Sequence, residues 1–262
     1  MKILKFRLYG RNAFFKKPDV NAILYYTYGN IHKVALLGMF GAILGYGGYN
    51  NMDFYNQKSK KQMDYPEFYS KLKGLKISIV PKNEGFFEKK VQIFNNTVGY
   101  ASKEQGGNLI TREQWLEYPS WDIYFQICDE ISENLADSIQ NRRAVYIPYL
   151  GKNDHIANID NVELFEDKDI EILKNTKNID CMFKENMFRF NNYEEDEENE
   201  EEDDDDFYEK IDPFKYQERL PVALEQSTNL YVMEKFIFTN MNVSVNCDID
   251  IFEVGGRKIV FY

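Results

Sequence analysis

Lys2-Ile-Leu-Lys-Phe-Arg-Leu-Tyr9 is the stretch that decides the fold. Its apolar residues Ile3, Leu4, Phe6 and Leu8 are interleaved with Lys2, Lys5 and Arg7. Side chains on a strand alternate between faces, so this pattern predicts a strand with one buried and one basic face. Gly10, Arg11 and the run Lys16-Lys17-Pro18-Asp19 follow, and they predict a loop.

Beyond the loop, residues 31–44 predict a helix with Asn30 as its N-cap. Gly38, Gly41 and Gly45 fall on one face of it. Each internal glycine costs a helix about 1 kcal/mol relative to alanine, which points to a close backbone approach. The approaching partner is either a sheet packed below or an RNA backbone or neighbouring subunit. Lys58-Ser-Lys-Lys61 sits in a polar loop, and 73–82 predicts a second strand. Residues 86–110, with Lys89-Lys90 at the root and Gly106-Gly107 beyond, predict a long β-hairpin. A third strand is expected at 121–128, a helix at 129–141 and a fourth strand at 156–165. The order is strand, helix, strand, hairpin, strand, helix, strand. It is the βαββαβ plan of RRM-like, ferredoxin-like α+β folds with a hairpin inserted between the second and third strands.

Charge divides the chain. Twelve of the thirteen positions 194–206 are acidic, and the rest of the molecule is close to neutral. Residues 1–103 carry a net +11, whereas 104–262 carry −22. The basic N-terminal part suits a polyanionic partner. The acidic run holds too little apolar surface to offset ordering entropy, which predicts a disordered linker over 176–212. Strand-like segments at 230–238, 243–252 and 258–262 then predict a β-rich C-terminal lobe over 213–262, with Gly255-Gly256 as a hairpin turn. The expected organisation is thus a domain over 1–175 carrying a thumb hairpin at 84–110, the linker, and the lobe. The longest apolar run, 34–46, is shorter than the ~20 residues a bilayer requires, so no membrane partner is expected and a cytoplasmic location is. Cys128, Cys181 and Cys247 have neither disulfide nor zinc spacing, and no metal or other cofactor is expected.

Five segments, in order, carry a resemblance. They are Gly-Arg-Asn-Ala-Phe at 10–14, the glycine-bearing helix at 34–45, Ile-Thr-Arg-Glu-Gln-Trp-Leu-Glu-Tyr-Pro at 110–119, Pro-Tyr-Leu-Gly-Lys at 148–152, and Arg-Leu-Pro-Val at 219–222. Together they resemble CRISPR-associated (Cas) family five proteins of the RAMP superfamily, in the form found in type I-B systems. The acidic run has no place in that pattern. The resemblance implies an RRM-like fold and a seat at one end of the Cascade surveillance complex. It implies a grip on the repeat-derived 5′ handle of the guide RNA (crRNA) in antiviral defence. Contacts with the backbone subunit (Cas family seven) and the large subunit (Cas family eight) follow, with target DNA nearby through the complex. The hairpin at 86–110 matches the thumb that touches the neighbouring backbone subunit.

RNA handles are held by phosphate neutralisation and by stacking on aromatic rings. The expected RNA-binding residues are Lys5 and Arg7 on the first strand, Arg11, Lys16 and Lys17 in the loop, and His32 and Lys33 at the helix start. Tyr46 and Tyr49 are expected as stacking platforms, and Lys89 and Lys90 as the basic root of the hairpin. The alternative reading is an endoribonuclease that processes precursor guide RNA, as in the type I-C branch, where a Lys-His pair and a Tyr act on the 2′-OH. Only two histidines are present, and no Lys-His pair occurs near 110–120. A role other than catalysis is therefore expected.

Overall fold

A computed structural model describes residues 1–19, 23–59, 62–190 and 212–262; the acidic run at 194–206, Lys60 and Lys61 lie outside them. The elements in chain order are β1 (Lys2–Tyr9), β2 (Asn12–Ala13), α1 (Lys33–Leu44), α2 (Tyr49–Lys58), α3 (Glu67–Leu72), β3 (Ile77–Pro81), β4 (Lys89–Asn95), β5 (Ile110–Glu117), β6 (Ser120–Ile127), α4 (Glu130–Gln140) and β7 (Asn158–Glu166). After them come β8 (Ile170–Leu173), β9 (Phe183–Lys184), β10 (Phe188–Phe190), β11 (Lys215–Leu224), β12 (Tyr231–Thr239), β13 (Val243–Val245), β14 (Ile251–Val254) and β15 (Arg257–Ile259). The architecture is mixed α and β, with few helices and antiparallel sheets.

The opening strand lies in the middle of the principal sheet, whose order is β3-β6-β1-β7. All three pairings are antiparallel. Each of its two crossovers, from β1 to β3 and from β6 to β7, carries a helix, and a foreign strand lies between the two strands so joined. This is a split β-α-β arrangement used twice. Leu4, Phe6 and Leu8 point into the main core with α1 and α4, as the alternation predicts. β7 bulges where it passes the Lys5–Arg7 step.

α1 is apolar nearly all round because it is covered nearly all round. It begins at Lys33, not at residue 31, and its N-cap is His32, not Asn30. Asn30 is instead fully buried and holds the loops together. It accepts from Trp121 Nε1 at 2.8 Å and donates to the Gly85 carbonyl at 2.9 Å. The glycine face does meet a close neighbour, but that neighbour is α3. A Cβ at Gly41 would lie 2.4 Å from the Phe68 Cβ. The Phe68 side chain fills the space beside Gly41.

Two short helices that the sequence does not predict, α2 and α3, flank the Lys58–Lys61 cluster. The inserted hairpin is β4 paired with β5, from Lys89 opposite Leu116 to Asn95 opposite Ile110. Its second arm is therefore 110–117, and 84–110 covers only the first arm and the tip. β5 also pairs with β2, which ties the hairpin to the loop after β1.

The C-terminal strands join the main core through Tyr216, Leu220, Leu224, Phe236 and Phe238. Tyr262 exchanges backbone hydrogen bonds with Ile77 (3.2 and 3.3 Å), and Met182 N donates to the Ile79 carbonyl at 2.8 Å, which covers the edge of β3. A second cluster lays Ile179, Cys181, Phe183, Ile237 and Ile251 against Ile3, Val80 and Tyr124 on the sheet face opposite the helices. Segment 243–252, read as one strand, is two: β13 pairs with β10, and β14 with β8 and β15. Gly255-Gly256 is the expected turn, with both glycines at positive φ.

Candidate nucleic-acid interface

The uncovered part of that sheet face carries Lys5 and Arg7, and register sets their partners. Lys5 lies opposite Glu163, and Arg7 opposite Asp160. Lys5 Nζ donates to Glu163 at 2.7 Å. Arg7 grips Asp160 with two hydrogen bonds of 2.7 and 2.5 Å, and its guanidinium lies 4.5 Å from the centre of the Tyr9 ring. The hydrogen bond to Asp160 raises the Arg7 pKa, and the same bond lowers that of Asp160. Lys82 pairs with Asp122 beside them at 2.5 Å. The face is therefore zwitterionic, not basic. An RNA phosphate would have to displace a carboxylate already in hydrogen-bond contact.

The helix start is structural as well. His32 is 4 % exposed, and its Nδ1 accepts from the Ala35 backbone N–H at 3.2 Å. The rings of Phe15, Tyr28 and Tyr231 enclose it edge-on. Burial pushes its pKa down to about 3, so the imidazole stays neutral. Lys33 donates to the Tyr262 carbonyl oxygen at 2.9 Å, and burial, then Lys76 and Lys184, lower its pKa to about 8. Tyr46 is half-buried, with the Lys71 ammonium 4.1 Å from its ring centre. Tyr49 stays exposed with its ring edge against Phe68, and burial of its hydroxyl raises the pKa to about 12. The expected cradle of β1, loop and helix start is thus divided. Lys5 and Arg7 belong to the sheet face, His32 to the interior, and the half-buried Lys33 to the C-terminal carbonyl it bonds.

What the loop after β1 presents is different. It is held open but firm. Lys17 N donates to the Tyr26 carbonyl and Tyr28 N to the Phe15 carbonyl, at 2.9 and 2.8 Å. Tyr25 is bonded on both sides to the hairpin arm, through Arg112 O and Gln114 N, each at 2.9 Å. On this frame the Lys16 ammonium sits 3.8 Å from the centre of the Tyr25 ring. Tyr25, Tyr26 and Tyr118 are 36, 43 and 68 % exposed, and Arg11 and Arg112 are exposed beside the same backbone. Tyr118 N donates to the Arg11 carbonyl at 2.9 Å. Lys17 is drawn away to Glu218 at 2.8 Å. At the hairpin root Lys89 is exposed, while Lys90 pairs with Glu117 at 2.8 Å.

The structure therefore sets Lys16 against Tyr25, and leaves Arg11, Tyr26 and Tyr118 exposed on the segments bonded to β2 and β5; the sequence alone points to the two cations and not to the three rings. The available signal was Leu24-Tyr-Tyr-Thr-Tyr-Gly29, an aromatic run shortly after the Lys-Lys pair. Exposed rings beside cations can stack on bases and neutralise phosphates at one place. Among the described residues, no group of three or more His, Cys, Asp or Glu side chains is placed to hold a metal, and no helix is long and apolar enough to cross a membrane.

No family model matches the chain. No curated protein matches it either. Among solved structures it is similar to a chain of a "CRISPR RNA-guided surveillance complex", at 12% identity and TM-score 0.49, over 92% of this chain and 91% of that one. It is also similar to "a CRISPR protein from Archaeoglobus fulgidus", at 10% identity and TM-score 0.47, over 99% of each chain. A third structure, described as "Cas protein", aligns at 15% identity and TM-score 0.36, over 59% of this chain and 58% of that one.

Proposed function

We propose that this chain is a guide-RNA-binding subunit of a type I CRISPR surveillance complex, of the I-B-like, family-five kind. In this reading it caps the 5′ handle of the guide RNA and bridges the backbone and large subunits, and its role is one of binding and not of catalysis. The observation that carries the reading is the Lys16–Tyr25 pair on a loop anchored to the hairpin, with Arg11 and Tyr26 exposed on the same loop and Tyr118 exposed at the end of β5. A loop that exposes cations and open rings suits unpaired nucleotides better than it suits a duplex. Two further features support it. The sheet order β3-β6-β1-β7 fits the RRM-like, ferredoxin-like plan of the RAMP superfamily. Two of the five resembling segments also meet here, since 10–14 opens the loop and 110–119 holds the hairpin arm to which it is bonded.

The test is binding of the chain, expressed with its complex, to a short single-stranded RNA over a salt series. Affinity is expected to fall with a slope of about −0.7 per neutralised phosphate. Tyr25→Ala is expected to weaken binding by about 1–3 kcal/mol. Charge reversal at Arg11 and Lys16 together is expected to reduce both affinity and salt slope. Unchanged affinity in both variants would sink the proposed site.

A further inference from the structure

His155 is the one buried ionisable side chain among the described residues that the interface does not use and the fold leaves without a partner. It is 5 % exposed, and neither ring nitrogen has a hydrogen bond. A neutral imidazole carries one N–H and one acceptor, and a buried polar group left unpaired costs about 1–3 kcal/mol. The ring is wedged edge-on against Trp115 of the hairpin arm, with centroids 4.4 Å apart.

Every charged group facing it belongs to the join between the hairpin and the loop that follows Leu150. From β5, Glu113 is 7 % exposed and accepts from Trp115 Nε1 at 2.8 Å and from Lys152 at 3.0 Å. From the loop, Lys152 lies 4.6 Å from the Phe94 ring centre and 3.9 Å from Asp154. Asp154 itself stands 4.0 Å from His155 Nε2, just outside hydrogen-bond range. From β4, Lys90 is already paired with Glu117. Without a proton on His155, the unit formed by Glu113, Asp154 and Lys152 has one negative charge in excess; with a proton it is balanced.

We propose that His155 is an acid-sensitive latch that fastens the 151–155 loop to the base of the β4–β5 hairpin and releases it when the imidazole takes up a proton. The chemistry is as follows. An imidazolium has two N–H donors. Asp154 can turn to meet the one on Nε2, but Nδ1 faces no acceptor where it is packed. The charged ring satisfies both donors only by leaving the wedge, and it takes Asp154 and the loop with it. Trp115 then loses its packing partner, and the Lys152 bridge to Glu113 is exposed to water. Burial holds the imidazole below its ordinary pKa while the latch is closed, with Asp154 opposing that shift in part. A group that binds its proton more weakly closed than open shifts the balance towards opening as pH falls below about 6.5. The shift reaches at most about tenfold per pH unit. This device is independent of RNA binding and stands or falls without it.

The test uses the full chain and two readouts. The chain holds only two histidines, and His32 stays neutral throughout, so proton NMR follows His155 alone. Amide exchange at Gln114, Trp115 and Ala157, corrected for intrinsic rates and referenced to β1, reads the opening. Between about pH 7.5 and about pH 5, protection there is expected to fall by up to about tenfold per unit while β1 is unchanged. His155→Gln, which cannot charge, is expected to remove that dependence. The same loss of protection in His155→Gln would overturn the proposal. So would a His155 resonance that titrates at the ordinary value with no change at Trp115, a result that needs no variant to fold.

Discussion

At the scale of single residues, His32 shows how a side chain suited to RNA chemistry can be spent on the fold. Its Nδ1 must remain unprotonated to accept from Ala35. The unfolded chain binds a proton at this residue below about pH 6.5, whereas the folded chain resists it down to about 3. Between those values the unfolded state holds more protons, so stability rises with pH there and is level above. Urea midpoints are expected to fall steadily from about pH 6.5 towards about pH 4, and His32→Asn, which keeps a capping acceptor but carries no charge, is expected to flatten that slope. His32→Ala is expected to cost at least about 1 kcal/mol, because it removes the cap and the ring packed among Phe15, Tyr28 and Tyr231. Nothing in the sequence separates His32 from an RNA ligand, since its enclosure is completed by Tyr231 from the far end of the chain. Lys5 and Arg7 pose a similar case. Their basic character is plain in the strand pattern, but Glu163 and Asp160 reach them only through the pairing of β1 with β7.

At the scale of elements, periodicity found what was amphipathic and regular. β1, α4 and the hairpin turn at Gly255-Gly256 lie where alternation, helical spacing and turn chemistry put them. α4 is capped by Asp129 and Ser132 in reciprocal hydrogen bonds, a pattern legible from sequence. α2 and α3 were not legible. The segment Tyr49-Asn-Asn-Met-Asp-Phe-Tyr-Asn-Gln-Lys58 has many weak helix formers and buries only Met52, so neither propensity nor an apolar period marks it as a helix. The hairpin runs past its expected end at 110 because the inward face of its second arm mixes Glu113 and Trp115 with threonine and hides the two-residue period. Glu113 is the weak point of this element. Glu113→Leu is expected to cost about 1–3 kcal/mol, since it leaves both Lys152 and the Trp115 indole N–H without an acceptor. Chemical denaturation of that variant and of Lys152→Met would check it, with the paired change recovering part of the loss.

At the scale of the whole molecule, the proposed interface of Arg11, Lys16, Tyr25, Tyr26 and Tyr118 is half legible in the sequence. Its cations were read from the sequence. Its rings were not, because their common exposure depends on how the loop is bonded to β5. The same long-range logic governs the C-terminal strands. Phe236, Phe238, Tyr216 and Leu220 share the core that α1 and β1 close. A fragment ending at residue 175 would leave that core uncovered, so it is expected to lack a cooperative thermal transition in calorimetry.

The central place of β1 also has a temporal consequence. Lys2–Tyr9 leaves the ribosome long before β6, and longer still before β7, the two strands between which it must lie. At about 5–20 residues per second, some ten to thirty seconds pass before the second neighbour has been synthesised. Until β6 is made an apolar strand waits with both edges unpaired, and until β7 is made with one, so nascent chains of this protein should depend on holding factors, and a slowed stretch of translation before residue 158 should raise the aggregated fraction.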